Sequence, residues 1–232
     1  MERIRELTSS LNEWDLYNSF FMMNDVERLR KFLAREHLFK MSLELPGDIV
    51  EVGVFKGIGV SQLLKLREIF APASNKKVIG FDLFSSSLNF QKELNDNDKK
   101  LDEYYSQCNV NMETGIKKEE IQSFLDEIKL TNKNYELIEG DVKLTISEYL
   151  EKNPGFRISY LYLDLDIEEP TLVSLNLLYD RVVRGGIIVL DEYACHKWTE
   201  SKAVDKFLES HKDLQLKTLA WSRTPTAYFI KN

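Results

Sequence analysis

A chain of 232 residues with 43% hydrophobic content is long enough for one α/β domain with an added cap, and apolar enough to fill its core, which excludes extended disorder. A formal charge of −7 with no Lys/Arg tract argues against a general nucleic-acid binder. Cys108 and Cys195 are too few and too far apart for a disulfide framework or zinc cluster. They fit a reducing compartment, and with a charged start and no membrane-length apolar run the chain reads as cytoplasmic and free of membranes.

Residues 1–45 are predicted to be helical, a cap set before a domain spanning 46–232. The stretch NDVERLRKFLAREHLFKMSLE opens with Asn24 and carries Glu27 three positions on, a capping-box pattern. Val26, Leu29, Phe32, Leu33 and Phe39 then recur at helical spacing. This region is expected to pack on the main domain or on a partner subunit, as a homodimer would provide. Pro46 and Gly47 end it. DIVEVGV reads as a buried strand, GIGVSQLLKLREIF as a helix and KKVIGFDLF as a second strand. Residues 85–116 are polar and aperiodic and are expected to form a lid. KKEEIQSFLDEI is a helix, YELIEGD a strand and LTISEYLEKN a helix. ISYLYLDLD is a strand, PTLVSLNLLYDRVV a helix, GGIIVLDEY a strand, and residues 200–210 a helix. The end, LQLKTLAWSRTPTAYFIKN, reads as two strands joined by a turn. Apolar strands alternating with helices argue for a mostly parallel sheet covered on both faces, closed by an antiparallel hairpin. Ligands in such sheets bind beyond the carboxyl ends of the strands.

The first strand runs into EVGVFKGIG, with Glu51, Gly53 and Gly57. Glycine there lets the backbone turn sharply and approach a ligand. This E-x-G-x-x-x-G pattern resembles the first motif of class I S-adenosylmethionine-dependent methyltransferases. Asp82, ending the second strand, could accept hydrogen bonds from both ribose hydroxyls or cap a turn. Asp141, after the third strand, could contact an adenine amino group as in class I methyltransferases, cap the next helix, or do both.

Four acids, Asp164, Asp166, Glu168 and Glu169, follow the apolar run of the fourth strand, and Asp191 and Glu192 end the fifth. Crowded carboxylates raise one another's pKa unless a cation sits among them. Two acid pairs on adjacent parallel strands would face one point, a site for a hard divalent cation such as Mg²⁺. Glu168 and Glu169, before Pro170, read as charges at a helix N-terminus.

The string from Tyr162 to Leu208 resembles the macrocin O-methyltransferase family, Mg²⁺-dependent class I enzymes that methylate sugar hydroxyls in antibiotic and polysaccharide pathways. The matching elements are Asp164-Leu165-Asp166, Gly185-Gly186 and Asp191-Glu192-Tyr193. The resemblance implies a Rossmann-like, seven-stranded sheet, S-adenosylmethionine bound at Glu51, Gly53, Gly57, Asp82 and Asp141, and a sugar-containing acceptor. It further implies Asp164, Asp191 and Glu192 as metal ligands and Asp166 as a candidate base; His196, in the loop just after those acids, is the reserve base or a solvated side chain. Glu192 departs from the family, which usually carries a second Asp there. Two rival readings stand beside this one: a glycosyltransferase holding a nucleotide sugar through Asp-x-Asp and Mn²⁺, and a non-catalytic subunit that keeps the fold.

Overall fold

The stretch ISYLYL is buried at all six positions, the signature of a strand covered on both faces. In the computed structural model, which describes residues 13–22, 26–84 and 116–232, it lies near the middle of a sheet with helices on either side. The elements in chain order are α1 (Glu13–Phe21), α2 (Val26–Lys40), β1 (Asp48–Val52), α3 (Ile58–Phe70), β2 (Val78–Asp82), α4 (Lys118–Glu127) and β3 (Tyr135–Glu139). They continue with α5 (Val142–Lys152), β4 (Ile158–Leu163), α6 (Glu168–Leu178), β5 (Val182–Leu190), α7 (Glu200–Ser210) and β6 (Ala227–Ile230). Asn24 and the lid expected at 85–116, apart from Ile116, lie outside the described residues. Among the described residues no helix is long and apolar enough to cross a membrane.

The strand order is β3-β2-β1-β4-β5-β6, parallel except for the antiparallel β6. Alternation along the strands divides the core. Val50, Val52, Phe81, Leu161 and Leu163 pack with Ile146, Leu175 and Phe207 on the face of α5, α6 and α7. Ile49, Tyr160, Tyr162 and Val189 pack with Leu38, Phe39, Leu63 and Leu125 on the face of α2, α3 and α4. The N-terminal helix α2 therefore belongs to the body of the fold: its Ala34, Arg35, Leu38 and Phe39 are buried.

Two boundaries differ from the sequence reading. The helix expected to reach Val183 ends at Leu178, a 3₁₀ turn covers Tyr179–Arg181, and β5 already begins at Val182. Ile158 pairs with Val182 and Tyr160 with Ile187, so five residues of β5 advance against two of β4. The excess bulges at Gly185-Gly186. Gly185 has φ +81°, and a Cβ on Gly186 would stand 2.4 Å from Val182 Cγ1. The described sheet also has six strands rather than the expected seven. The first arm of the terminal hairpin is one bridge, Lys217 with Tyr228. The neighbouring rung cannot form, because the Thr226 N–H donates to the Leu190 and Asp191 carbonyls and the Thr226 carbonyl accepts from Thr218 Oγ1.

Candidate active site

Strand order reverses between β1 and β4, so the helices that follow them leave on opposite faces and open a crevice at their carboxyl ends. Both the glycine turn and the acids arrive there. Gly53 leaves β1 with φ +94°, and a Cβ built on it would lie 1.9 Å from the Asp164 carbonyl oxygen. The turn thus rests directly on the residue that begins the acid cluster.

Asp82 builds this turn. Its Oδ2 accepts from the N–H groups of Val54 at 2.6 Å and Phe55 at 2.9 Å, and its Oδ1 accepts from Phe84 N–H at 2.9 Å. Burial raises its carboxyl above the ordinary range against those donors and the Leu83 N–H. Asp141 is the N-cap of α5, accepting from Lys143 N–H at 2.9 Å. The Glu51 side chain meets α2: Oε1 accepts from Arg35 Nη1 at 2.8 Å, both residues buried, while Oε2 is buried without a partner among the described residues. Burial pushes the Glu51 carboxyl up to about 7, opposed by Arg35. The Arg35 guanidinium also lies over the Tyr162 ring, 3.9 Å from its centroid.

Asp164 and Asp191 follow β4 and β5 and stand side by side. Lys31 of α2 bridges them, its Nζ 2.7 Å from Asp191 Oδ2 and 3.3 Å from Asp164 Oδ2. The Tyr162 hydroxyl donates to Asp191 Oδ1. Asp166 takes a left-handed backbone, φ +65°, and its carbonyl accepts from Thr199 and Glu200 N–H, tying the acid loop to the start of α7. Glu192 N–H donates to Glu200 Oε1 at 3.1 Å; Glu200 is itself buried. Beyond the cluster, Glu168 and Glu169 start α6 as expected, and Glu168 pairs with Lys206. His196 lies exposed in the loop after β5.

The acids outweigh the one lysine that bridges them. Burial and then Asp191 push the Asp164 carboxyl up to about 6, against the pull of Lys31. Burial and then Asp191 push Glu192 up to about 7. Burial, then Asp164, Glu192 and Asp191, raise Asp166 well above the carboxylate range. Each group therefore keeps its proton in the folded state at a pH where the unfolded chain has released it. The stability this contributes is whole below the unfolded values of 3.8 and 4.5 and is lost as pH rises through the folded values, up to about 7. In a chelator, the melting temperature should fall across that interval, and Glu192→Gln should flatten the fall; an equal slope in both proteins would contradict the assignment.

The oxygen-donor set has the chemistry of a hard-cation site, with more negative charge than Lys31 neutralises. Among the described residues, however, no three ligating side chains stand in a metal-binding group. Lys31, Arg35, Tyr162 and Glu200 were missed from sequence. A signal existed for two of them: Lys31 and Arg35 are four apart, on one face of a helix whose Leu38 faces the core.

A six-stranded doubly wound sheet, with a glycine turn on β1 set against acids at the ends of β4 and β5, defines a class I methyltransferase fold. The family model of Macrocin-O-methyltransferase (TylF) matches residues 15–222, and the chain belongs to that family. It is an O-methyltransferase. Among solved structures, CalS11, a TDP-rhamnose 3'-O-methyltransferase in calicheamicin biosynthesis, aligns with TM-score 0.69 and 24% identity over 99% of this chain and 92% of that one. The O-methyltransferase NovP aligns with TM-score 0.67 and 21% identity over 88% and 80%. The MycE methyltransferase of mycinamycin biosynthesis, solved with Mg and SAH, gives TM-score 0.50 and 13% identity over 86% and 49%. At these identities the structures show a shared fold. No curated protein matches.

Proposed function

We propose that the protein transfers a methyl group from S-adenosylmethionine to a hydroxyl of a sugar or glycosylated small molecule, with Mg²⁺ as cofactor. One observation carries this reading. The glycine turn and the acid cluster touch at Gly53 and Asp164, which would bring a methyl donor held by the turn to an acceptor held at the acids. CalS11 and MycE, whose names tie them to TDP-rhamnose and to mycinamycin biosynthesis, support a glycosidic acceptor.

In this reading the turn of Gly53 and Gly57 accommodates the methionine part of the donor. Asp82 would face the ribose hydroxyls while it secures the turn through its backbone donors. Asp141 lies at the end of β3, where it would meet the adenine while still capping α5. Glu51, paired with Arg35, lies against Gly59 at the start of α3, beside the turn, where it would face the donor. Asp164, Asp191 and Glu192 would hold the cation, which when bound lowers the pKa of an acceptor hydroxyl. Asp166 would take the proton of that hydroxyl as the C–O bond forms and the methyl C–S bond breaks, the demethylated thioether leaving as the second product. His196 is the second candidate for that role. The crevice walls hold the acceptor oxygen in line with the methyl group, so that proximity does much of the catalysis.

Calorimetric titration should show S-adenosylmethionine binding, and isotope-labelled methyl should pass to members of a panel of glycosylated acceptors. Binding of nucleotide sugars without binding of S-adenosylmethionine would overturn the reading in favour of a glycosyltransferase. Binding without any transfer across the panel would leave a non-catalytic subunit.

A further inference from the structure

The point between Asp164 and Asp191 already holds a cation of the chain's own. The Lys31 ammonium takes one oxygen from each acid, at 3.3 Å and 2.7 Å, and both are the Oδ2 atoms. A divalent ion drawing on the same two residues would need carboxylate oxygens facing the same point. Ammonium and metal cannot share it: they compete for the same lone pairs and repel each other at such short range. Lys31 is also built to leave. Its side chain is 23% exposed, on a flexible four-carbon stem that can carry the charge to water. Its neighbour cannot follow. Arg35 is buried and fixed by Glu51 and the Tyr162 ring.

We propose that Lys31 is a tethered competitor for the metal: its ammonium fills the position between Asp164 and Asp191 in the metal-free protein, and a divalent cation binds only as that ammonium is released. The inference rests on the metal reading of the acids given above. It makes α2 part of the cation site, because the affinity of the site for metal is set by how firmly that helix presents Lys31. It also explains how the fold tolerates two adjacent carboxylates, one of them 1% exposed, before any metal arrives. Competition for one position is reciprocal, so metal must weaken the lysine's hold as much as the lysine weakens the metal's.

The test uses the full chain and Mn²⁺, whose binding is read by electron paramagnetic resonance. Lys31→Met should bind Mn²⁺ more tightly than the parent, by about 5- to 150-fold. Arg30→Gln, which removes the same charge from the same helix away from the acids, should leave the affinity near the parent value. A second readout needs no variant. Acetylation of Lys31 by an N-hydroxysuccinimide ester, followed by mass spectrometry with Lys152 as reference, should rise several-fold in saturating Mg²⁺. Equal Mn²⁺ affinity in parent and Lys31→Met, an equal gain in Arg30→Gln, or unchanged Lys31 labelling would each overturn the competition while leaving the metal site standing. No Mn²⁺ binding by any of the proteins would remove the metal reading, and this inference with it.

Discussion

Asp166→Asn should fold, bind S-adenosylmethionine with nearly the parent affinity, and transfer methyl groups about 10²- to 10⁴-fold more slowly at every Mg²⁺ concentration. The reason is its place in the cluster. Asp166 lies off the Lys31 bridge, in a left-handed turn held by the backbone of α7, with a carboxyl raised by burial and by three neighbouring acids. An amide preserves the shape and cannot accept the proton. Asp164→Asn and Asp191→Asn should behave differently. Each removes one of the two oxygens that face the shared cation position, so their losses should be partly restored by high Mg²⁺. Steady-state rates across a Mg²⁺ series, with calorimetry for the cofactor, separate the two patterns. If Asp166→Asn is rescued by Mg²⁺ as the other two are, the base is elsewhere, with His196 the next to test.

A side chain at Gly53 should destabilise the fold itself, whatever it does to ligand binding. The nearest atom to the missing Cβ is the Asp164 backbone carbonyl at 1.9 Å, and backbone cannot swing aside as a side chain can. The φ of +94° adds strain for any residue with a Cβ. Left-handed strain of about 1–2 kcal/mol and overpacking of about 1–3 kcal/mol fall together at one site. A domain of this size loses about 2–4 °C per kcal/mol, so Gly53→Val should melt roughly 5–20 °C below the parent. Thermal unfolding followed by circular dichroism checks this. A variant that melts with the parent yet fails to bind S-adenosylmethionine would show that the glycine serves the ligand alone.

That prediction changes the meaning of the sequence motif. Glycine at 53 looked like a ligand requirement, and Asp82 like a ribose acceptor; in the structure the glycine is demanded by Asp164, and Asp82 secures the turn with three backbone hydrogen bonds. Both can serve a cofactor only because they first serve the fold. Glu51 shows the same layering, since its visible partner is Arg35. Such pairings join residues far apart in the chain, and no local spacing encodes them.

What the residues determined unaided was the alternation of strands and helices, the parallel sheet and the gathering of acids at strand ends. Each of these follows from local hydrophobic period and from short motifs, and together they carried the family resemblance. Helix and strand ends near Val182 and Lys217 were decided by tertiary structure, because they depend on which neighbour takes each backbone hydrogen bond: the glycine bulge against β4 in one case, the diverted Thr226 groups in the other. The tertiary structure alone also brought Lys31 to Asp164 and Asp191, across 133 and 160 residues of chain. A lysine on an amphipathic helix reads as solvent-facing until the sheet supplies two carboxylates, one of them buried, for it to bridge. The charges then attract across the fold, a pairing that no local period records.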